Sequence, residues 1–388
     1  MRFTTLLAMM PLALAAPSRR ASPAPLHVPR STGDNLVEGK YIVKMYDDAV
    51  ETSLHAAMAA EPDHVYNVPG FKGFASALTP EEVESLQNHP DVEFIEQDSI
   101  VSINAFVTQS GSTWGLARVS HHSRTATGYV YDNTAGAGTC AYIIDTGIYT
   151  AHTEFEGRAT FLSNFADSSN SDGNGHGTHV AGTVGSKTYG VAKQTKLYAV
   201  KVLNAAGSGT TSGVVAGMNY VTSDVATRDC PAGAVANMSL GGASSTAINS
   251  AARAMISAGV FLAVAAGNSN TDASTTSPAG EPQVCTVGAT TSADARASFS
   301  NYGSVVDVFA PGQDVLSTWN NGGTNTISGT SMASPHVTGL GAYLLSLEGA
   351  KAPQALCAYI ASIGTVGALS GVPSGTVNAI AFNDNPTG

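Results

Sequence analysis

Short apolar runs recur through the C-terminal part of the chain, at 141–144, 196–202, 235–240, 260–265, 284–287 and 305–309. Little in them alternates strictly with polar positions, so they predict strands buried on both faces. Between several of them the apolar positions return at a helical period, over 212–227, 246–257 and 331–347. Strands alternating with helices predict an α/β fold, a mostly parallel sheet sandwiched by helices.

The N-terminal pattern differs. Positions 41–45 predict a strand and 50–60 a helix, and 64–68 and 71–78 predict two strands joined at Pro69-Gly70. Thr79-Pro80-Glu81-Glu82 then opens a second helix: Thr79 caps it, Pro80 takes its first position and Glu82 completes a capping box. A last strand follows at 92–95. This βαββαβ order is that of a small α+β, ferredoxin-like unit, with its folded part at about 40–99. The stretch 17–39, rich in Pro, Ser and Arg and without an apolar period, predicts a flexible lead-in.

Residues 6–16 form an apolar run behind Arg2, and Ala13-Leu14-Ala15 offers small residues for cleavage. The run is too short to cross a bilayer, so 1–16 is expected to be a secretory signal, with no membrane anchor after it. A formal charge of −11 argues against a nucleic-acid partner. Cys140, Cys230, Cys285 and Cys357 form no C-x-x-C pair, which disfavours zinc. In an oxidising compartment two disulfides are expected, and spacing leaves all three connectivities open.

The candidate chemistry sits beside small residues. Asp145, in Asp145-Thr146-Gly147, closes the run 141–144, where α/β sheets place their sites. His176 and His179 lie in Asp172-Gly173-Asn174-Gly175-His176-Gly177-Thr178-His179. Without an H-E-x-x-H pattern they predict one catalytic and one packed histidine rather than a metal pair. Asn268 follows Ala265-Ala266-Gly267. Ser331, in Gly329-Thr330-Ser331-Met332-Ala333, stands at a helix start that Pro335, read as a first-turn residue, appoints. A serine there offers a nucleophile and an N–H at the positive end of the dipole. Each residue alone has a common structural use, as a turn Asp or Asn or as an N-cap Ser. Together, in the order Asp, His, Asn, Ser, they supply an orienting group, a base, an oxyanion donor and a nucleophile for acyl transfer.

On these motifs, with Trp114-Gly115-Leu116, Ser239-Leu240-Gly241-Gly242 and Phe299-Ser300-Asn301-Tyr302-Gly303, the chain resembles subtilisin-type serine proteases of the proteinase K branch, including the fungal cuticle-degrading enzymes. Residues before 105 resemble the inhibitory pro-domain of that family. The resemblance implies a pro-peptide over 17–106 and a peptidase domain over 107–388. It implies a triad of Asp145, His176 and Ser331, with Asn268 as oxyanion donor. Gly207-Ser208-Gly209 and Ser239-Leu240-Gly241 would clamp an extended peptide as an added strand. Ala265, Ala266 and Gly267 would wall the P1 pocket and favour apolar or aromatic residues. The disulfides implied are Cys140–Cys230 and Cys285–Cys357. A structural calcium would bind the carbonyls of Pro282 and Val284 and the carboxylate of Asp307. A second, weaker calcium site of the family would need a carboxylate where Ala368 stands. Val180 replaces a cysteine that the branch often carries.

The expected product is therefore a secreted, monomeric serine endopeptidase. It would be made as an inactive precursor that cleaves itself near Ala105 to Val107, with 97–106 held in the cleft like a product. Its partners would be protein substrates and its own pro-peptide. A catalytically silent binding protein, an esterase and a cell-wall protein are the rival readings, and the complete set of reactive residues weighs against them. The sequon Asn237-Met238-Ser239 falls on a predicted central strand, so no glycan is expected there.

Overall fold

The structure, a computed structural model, describes residues 22–29, 36–49, 62–100 and 106–388. The expected signal segment, the helix expected over 50–60 and Ala105 lie outside these residues. The chain divides into two compact units, Met1–Ser102 and Ile103–Gly388.

The first unit is a five-stranded sheet in the order Leu26–His27, Val92–Ser99, Leu36–Met45, Phe71–Ala77, His64–Val68. The helix Pro80–Gln87 packs Val83 and Leu86 into a core with Val43, Phe74, Val92 and Ile95. Its capping box forms as read from the sequence. The Thr79 hydroxyl accepts from Glu82 N, and the Glu82 carboxylate accepts from Thr79 N. The lead-in read as flexible contributes structure instead: Leu26 and His27 pair in parallel with Ile95 and Glu96, and the next strand begins at Leu36. Both side chains of that short strand are exposed, so its pairing rests on backbone groups that leave no apolar period.

The second unit is built on a nine-stranded sheet. Its order is Thr365–Val366, Ala379–Ile380, Val308–Pro311, Cys285–Thr290, Val260–Ala265, Gly233–Met238, Thr139–Asp145, Lys196–Lys201, Ala159–Asn164. Every pairing is parallel except that of the first two. One face is covered by the helices His176–Gly185 and Thr330–Glu348, through Val180, Val184, Val337, Leu340 and Leu344. The other is covered by Thr211–Asp224 and Thr246–Ser257, through Val214, Met218, Ile248 and Met255. The strand expected over 305–309 starts later, at Val308, because Val306 and Asp307 direct their N–H groups to Gly303 O and Thr286 O as the chain turns into the sheet.

Four neighbouring strands of this sheet, Val260–Ala265, Gly233–Met238, Thr139–Asp145 and Lys196–Lys201, all run in the same direction. Asn268, Ser239, Asp145 and Gly207 therefore emerge along one edge, at or just past the C-terminal ends of those strands. This is where an open parallel sheet collects a site.

Candidate active site

Asp145 is the last residue of its strand and is fully buried. Its Oδ1 accepts from Thr146 N and from the Nδ1–H of His176, each at 2.7 Å. His176 is the first residue of its helix. Two glycines allow the approach. Gly175 caps the helix at φ 107°, and a Cβ there would lie 2.4 Å from the Trp319 ring. A Cβ on Gly177 would lie 2.1 Å from Gly147 O. No side chain caps the helix from Gly175, and Asp172 supplies that function from the preceding turn. Its Oδ1 accepts from Gly175 N at 2.8 Å, Asn174 N at 3.0 Å and the Thr146 hydroxyl at 2.8 Å. Its Oδ2 accepts from Thr178 N at 2.9 Å and from the Thr178 hydroxyl at 2.6 Å. Asp172 thus joins the end of the Asp145 strand to the start of the His176 helix. Nothing in the sequence pattern marked it out from a turn aspartate.

The two histidines sit in different surroundings. His179 is fully buried and donates from Nε2 to Val315 O at 3.0 Å and Asn325 O at 3.2 Å. Burial holds its pKa down, at about 4. His176 keeps a side chain 24% exposed. Burial pulls its pKa down, but the charge and hydrogen bond of Asp145, with a further push from Asp172, outweigh this and leave it raised.

Ser331 is the second residue of the helix Thr330–Glu348, so its N–H lies in the first turn, where no intrahelical acceptor exists. Pro335 does not mark the first turn as expected: it lies inside the helix, one turn beyond Ser331. A proline there removes the N–H that would bond the Ser331 carbonyl. That carbonyl accepts instead from the Ser239 hydroxyl at 2.7 Å. Ser331 Oγ in turn donates to Ser239 O at 3.2 Å. Asn268 Oδ1 accepts from Thr330 N at 2.8 Å and from the Thr330 hydroxyl at 2.9 Å. With Oδ1 so engaged, Nδ2 is the end of the amide left to act as donor. Thr330 was invisible to pattern reading, being one more small polar residue beside Ser331.

Two depressions share the segment Ser239–Leu240–Gly241–Gly242 as a common wall. One, of about 450 Å³, is lined also by His176, Asn174, Gly207, Ser208, Gly209, Val214 and Ile248. The other, of about 410 Å³, is lined by Ala265, Ala266, Gly267, Asn268 and Ser331 and by no charged side chain. The expected clamp and pocket residues therefore border the same two hollows as His176 and Ser331.

Asp307 borders a third depression with Pro282, Val284, Gln354 and Cys357. Burial raises its carboxyl to about 6, opposed only by the bond that Oδ2 accepts from Thr286 N at 2.8 Å. Among the described residues no Lys or Arg pairs with it. A desolvated carboxylate without a cationic partner, on a depression bordered by Pro282 and Val284, fits a hard divalent cation such as calcium. The nearby Cys285 and Cys357 are bonded to each other and offer no thiolate; Cys140 is bonded to Cys230. Ala368 is exposed and brings no oxygen ligand from its side chain. Asn237, the sequon asparagine, is fully buried.

The profile of the subtilase family matches residues 136–363, and that of the peptidase inhibitor I9 family matches residues 40–104. The chain is 57% identical to the subtilisin-like serine protease AsES of Sarocladium strictum, over 100% of both chains. It is 55% identical to a cuticle-degrading protease of Metarhizium anisopliae, over 99% of this chain and 100% of that one. Against proteinase R of Parengyodontium album the identity is 52%, over 99% of each. A solved structure of a cold-adapted subtilisin-like serine proteinase superposes with a TM-score of 0.67 at 46% identity, covering 71% of this chain and 99% of that one.

Proposed function

The chain belongs to the subtilase family of serine proteases and carries an inhibitor I9 domain ahead of its peptidase unit. On that premise we propose that it is a secreted endopeptidase, made as an inactive precursor, that cuts extended polypeptides after apolar or aromatic residues. The observation that carries the reading is the 2.7 Å bond from His176 Nδ1 to the buried Asp145 carboxylate, beside hollows lined by Ser331 and two glycine-containing edges.

With Nδ1–H donated to Asp145, the neutral ring presents Nε2 as the base. Ser331 Oγ leaves Ser239 O, gives its proton to Nε2 and bonds to the peptide carbonyl carbon. The carbonyl oxygen takes the negative charge and is held by Asn268 Nδ2 and Ser331 N–H. As the C–N bond breaks, His176 returns the proton to the leaving amine. Water repeats the sequence on the acyl-enzyme and frees the carboxylic acid and Ser331. Gly207–Gly209 and Ser239–Gly241 would hold the substrate backbone as an added strand, which tolerates varied sequence. The neutral walls at Ala265, Ala266 and Gly267 support the P1 preference.

The N-terminal apolar run and the two disulfides support secretion. The I9 domain supports inhibition by the chain's own pro-peptide until the link near 105–107 is cut. A calcium at Pro282 O, Val284 O and Asp307 would be structural, neutralising Asp307 and tying the two loops together; catalysis needs no cofactor. The purified mature protein should be labelled by a fluorophosphonate at Ser331 and should cut a peptide library after apolar and aromatic residues. Ser331→Ala should lower kcat by ~10⁶, the size of effect known for this enzyme class. Near-normal turnover in that variant would end the proposal.

A further inference from the structure

The pair Asn237 and Ser239 matches a glycosylation sequon, yet Asn237 is fully buried and Ser239 is nearly so. Their side chains are occupied by the nucleophile's helix. Asn237 Nδ2 donates to Ser239 Oγ at 2.8 Å, and Ser239 Oγ donates to Ser331 O at 2.7 Å. Asn237 Oδ1 accepts from the Ser334 hydroxyl at 2.8 Å and from the Thr338 hydroxyl at 3.0 Å. One amide therefore ties the strand Gly233–Met238 to the helix on both sides of Pro335. It does so where that helix lacks the bond that would have fixed Ser331.

We infer that Ser239 Oγ, oriented by Asn237, is a positioning group for the nucleophile, replacing the helix hydrogen bond that Pro335 removes. The inference rests on the proposed role of Ser331. Its physical basis is that a buried carbonyl without a donor is costly and does not keep its place. Without the Ser239 hydroxyl, Ser331 O loses its 2.7 Å donor at the turn where Pro335 offers no N–H, and the peptide carrying Ser331 is freer to shift. A displacement of about 1 Å at a reacting atom is enough to cost a large factor in rate. The backbone of Ser239 fixes the other side: Ser239 O receives the resting Ser331 hydroxyl at 3.2 Å. Substrate-edge backbone and nucleophile are thus cross-linked twice, once through each residue's hydroxyl.

The test uses the full-length precursor, matured and purified, and compares the native enzyme with Ser239→Ala, Ser239→Thr and Ser334→Ala. A fluorophosphonate measures the reactivity of Ser331, and a peptide substrate gives kcat and KM. Ser239→Ala should slow phosphonylation and kcat together by about tenfold, with KM changed less than twofold. Ser239→Thr keeps the hydroxyl and should restore most of the loss, which lost packing would not. Ser334→Ala removes one of two donors to Asn237 Oδ1 and should give a smaller loss, about threefold, in the same direction. If Ser239→Ala does not mature, the inference stands or falls on the Thr and Ser334 variants. Native phosphonylation and kcat in Ser334→Ala, or a Ser239→Thr enzyme slowed by tenfold, would then overturn it. Equal rates for native and Ser239→Ala enzyme would overturn it directly, whereas failure of the native enzyme to be labelled at Ser331 would instead overturn the proposed function.

Discussion

Thr330 directs both its backbone N–H and its hydroxyl to one atom, Oδ1 of Asn268, at 2.8 and 2.9 Å. An amide held this way has one orientation, so its Nδ2 donor is set before any charge develops. Such preorganisation is what makes an oxyanion donor effective, because nothing has to reorient during the reaction. Asn268→Leu should therefore lower kcat by ~10²–10³ and leave KM nearly unchanged. Thr330→Val removes one of the two ties and should cost about tenfold in kcat, again without a matching change in KM. Steady-state kinetics on a chromogenic peptide separate the two parameters. A Thr330→Val loss carried wholly by KM would contradict this account.

Activity should fall on the acid side at a pH above the ordinary histidine range. The base works only when neutral, and the Asp145 charge, with help from Asp172, holds the His176 pKa above its ordinary value despite burial of the ring. Raising a base's pKa moves the acid limb upward, so kcat/KM should reach half its plateau above pH ~6.5. Asp172→Asn removes the smaller of the two charges and should move that midpoint down. A pH profile of kcat/KM for both proteins decides it, and a native midpoint below about 6 would refute it.

Each disulfide closes a long loop, Cys140–Cys230 spanning 90 residues and Cys285–Cys357 spanning 72. On the chain-entropy model each contributes about 4 kcal/mol. Replacing either pair with alanines should lower the denaturation temperature of the mature enzyme by several degrees and speed its thermal inactivation. Unchanged inactivation half-lives would show that the unfolding barrier is set elsewhere.

Chelation should act on stability and leave the chemistry alone. Removing divalent cations should accelerate thermal inactivation while kcat at low temperature stays within about twofold, since a cation at Asp307 would only cross-link loops. Asp307→Asn should abolish most of the difference between calcium-loaded and chelated enzyme. An Asp307→Asn protein as calcium-dependent as the native one would place the cation elsewhere.

The legible parts of the fold were those where a local rule and the tertiary structure agree. The sequence pattern and the structure give the same bounds for Val260–Ala265 and Thr246–Ser257. The first is a run of six apolar residues, and the second is a helix whose N-cap Ser245 accepts from Ile248 N. The capping box at Thr79 belongs to the same group. The sequence pattern predicts no helix over His176–Gly185, because its three glycines and two threonines disfavour one in isolation. It forms because Asp172 caps it and because Val180 and Val184 are buried in the core. Nor does the sequence pattern predict the strand Ala159–Asn164 or the helix Pro353–Ile363. The strand lies at one edge of the sheet with mostly half-buried side chains and no apolar run.

At the site, residue identity and order along the chain were enough to nominate Asp145, His176, Asn268 and Ser331, because acyl transfer restricts which side chains can serve and motifs keep small residues around them. Spacing alone does not rank His176 above His179; the family resemblance does, and the structure gives His179 two carbonyl acceptors and His176 a carboxylate. Nor could residue identity and order show Pro335 one turn inside its helix, Thr330 orienting Asn268, or Ser239 completing the bond Pro335 lacks. The last two relations join residues 62 and 92 positions apart. A hydrogen bond between distant segments leaves no period or spacing in a linear chain, so it becomes visible once folding has brought its two ends within about 3 Å.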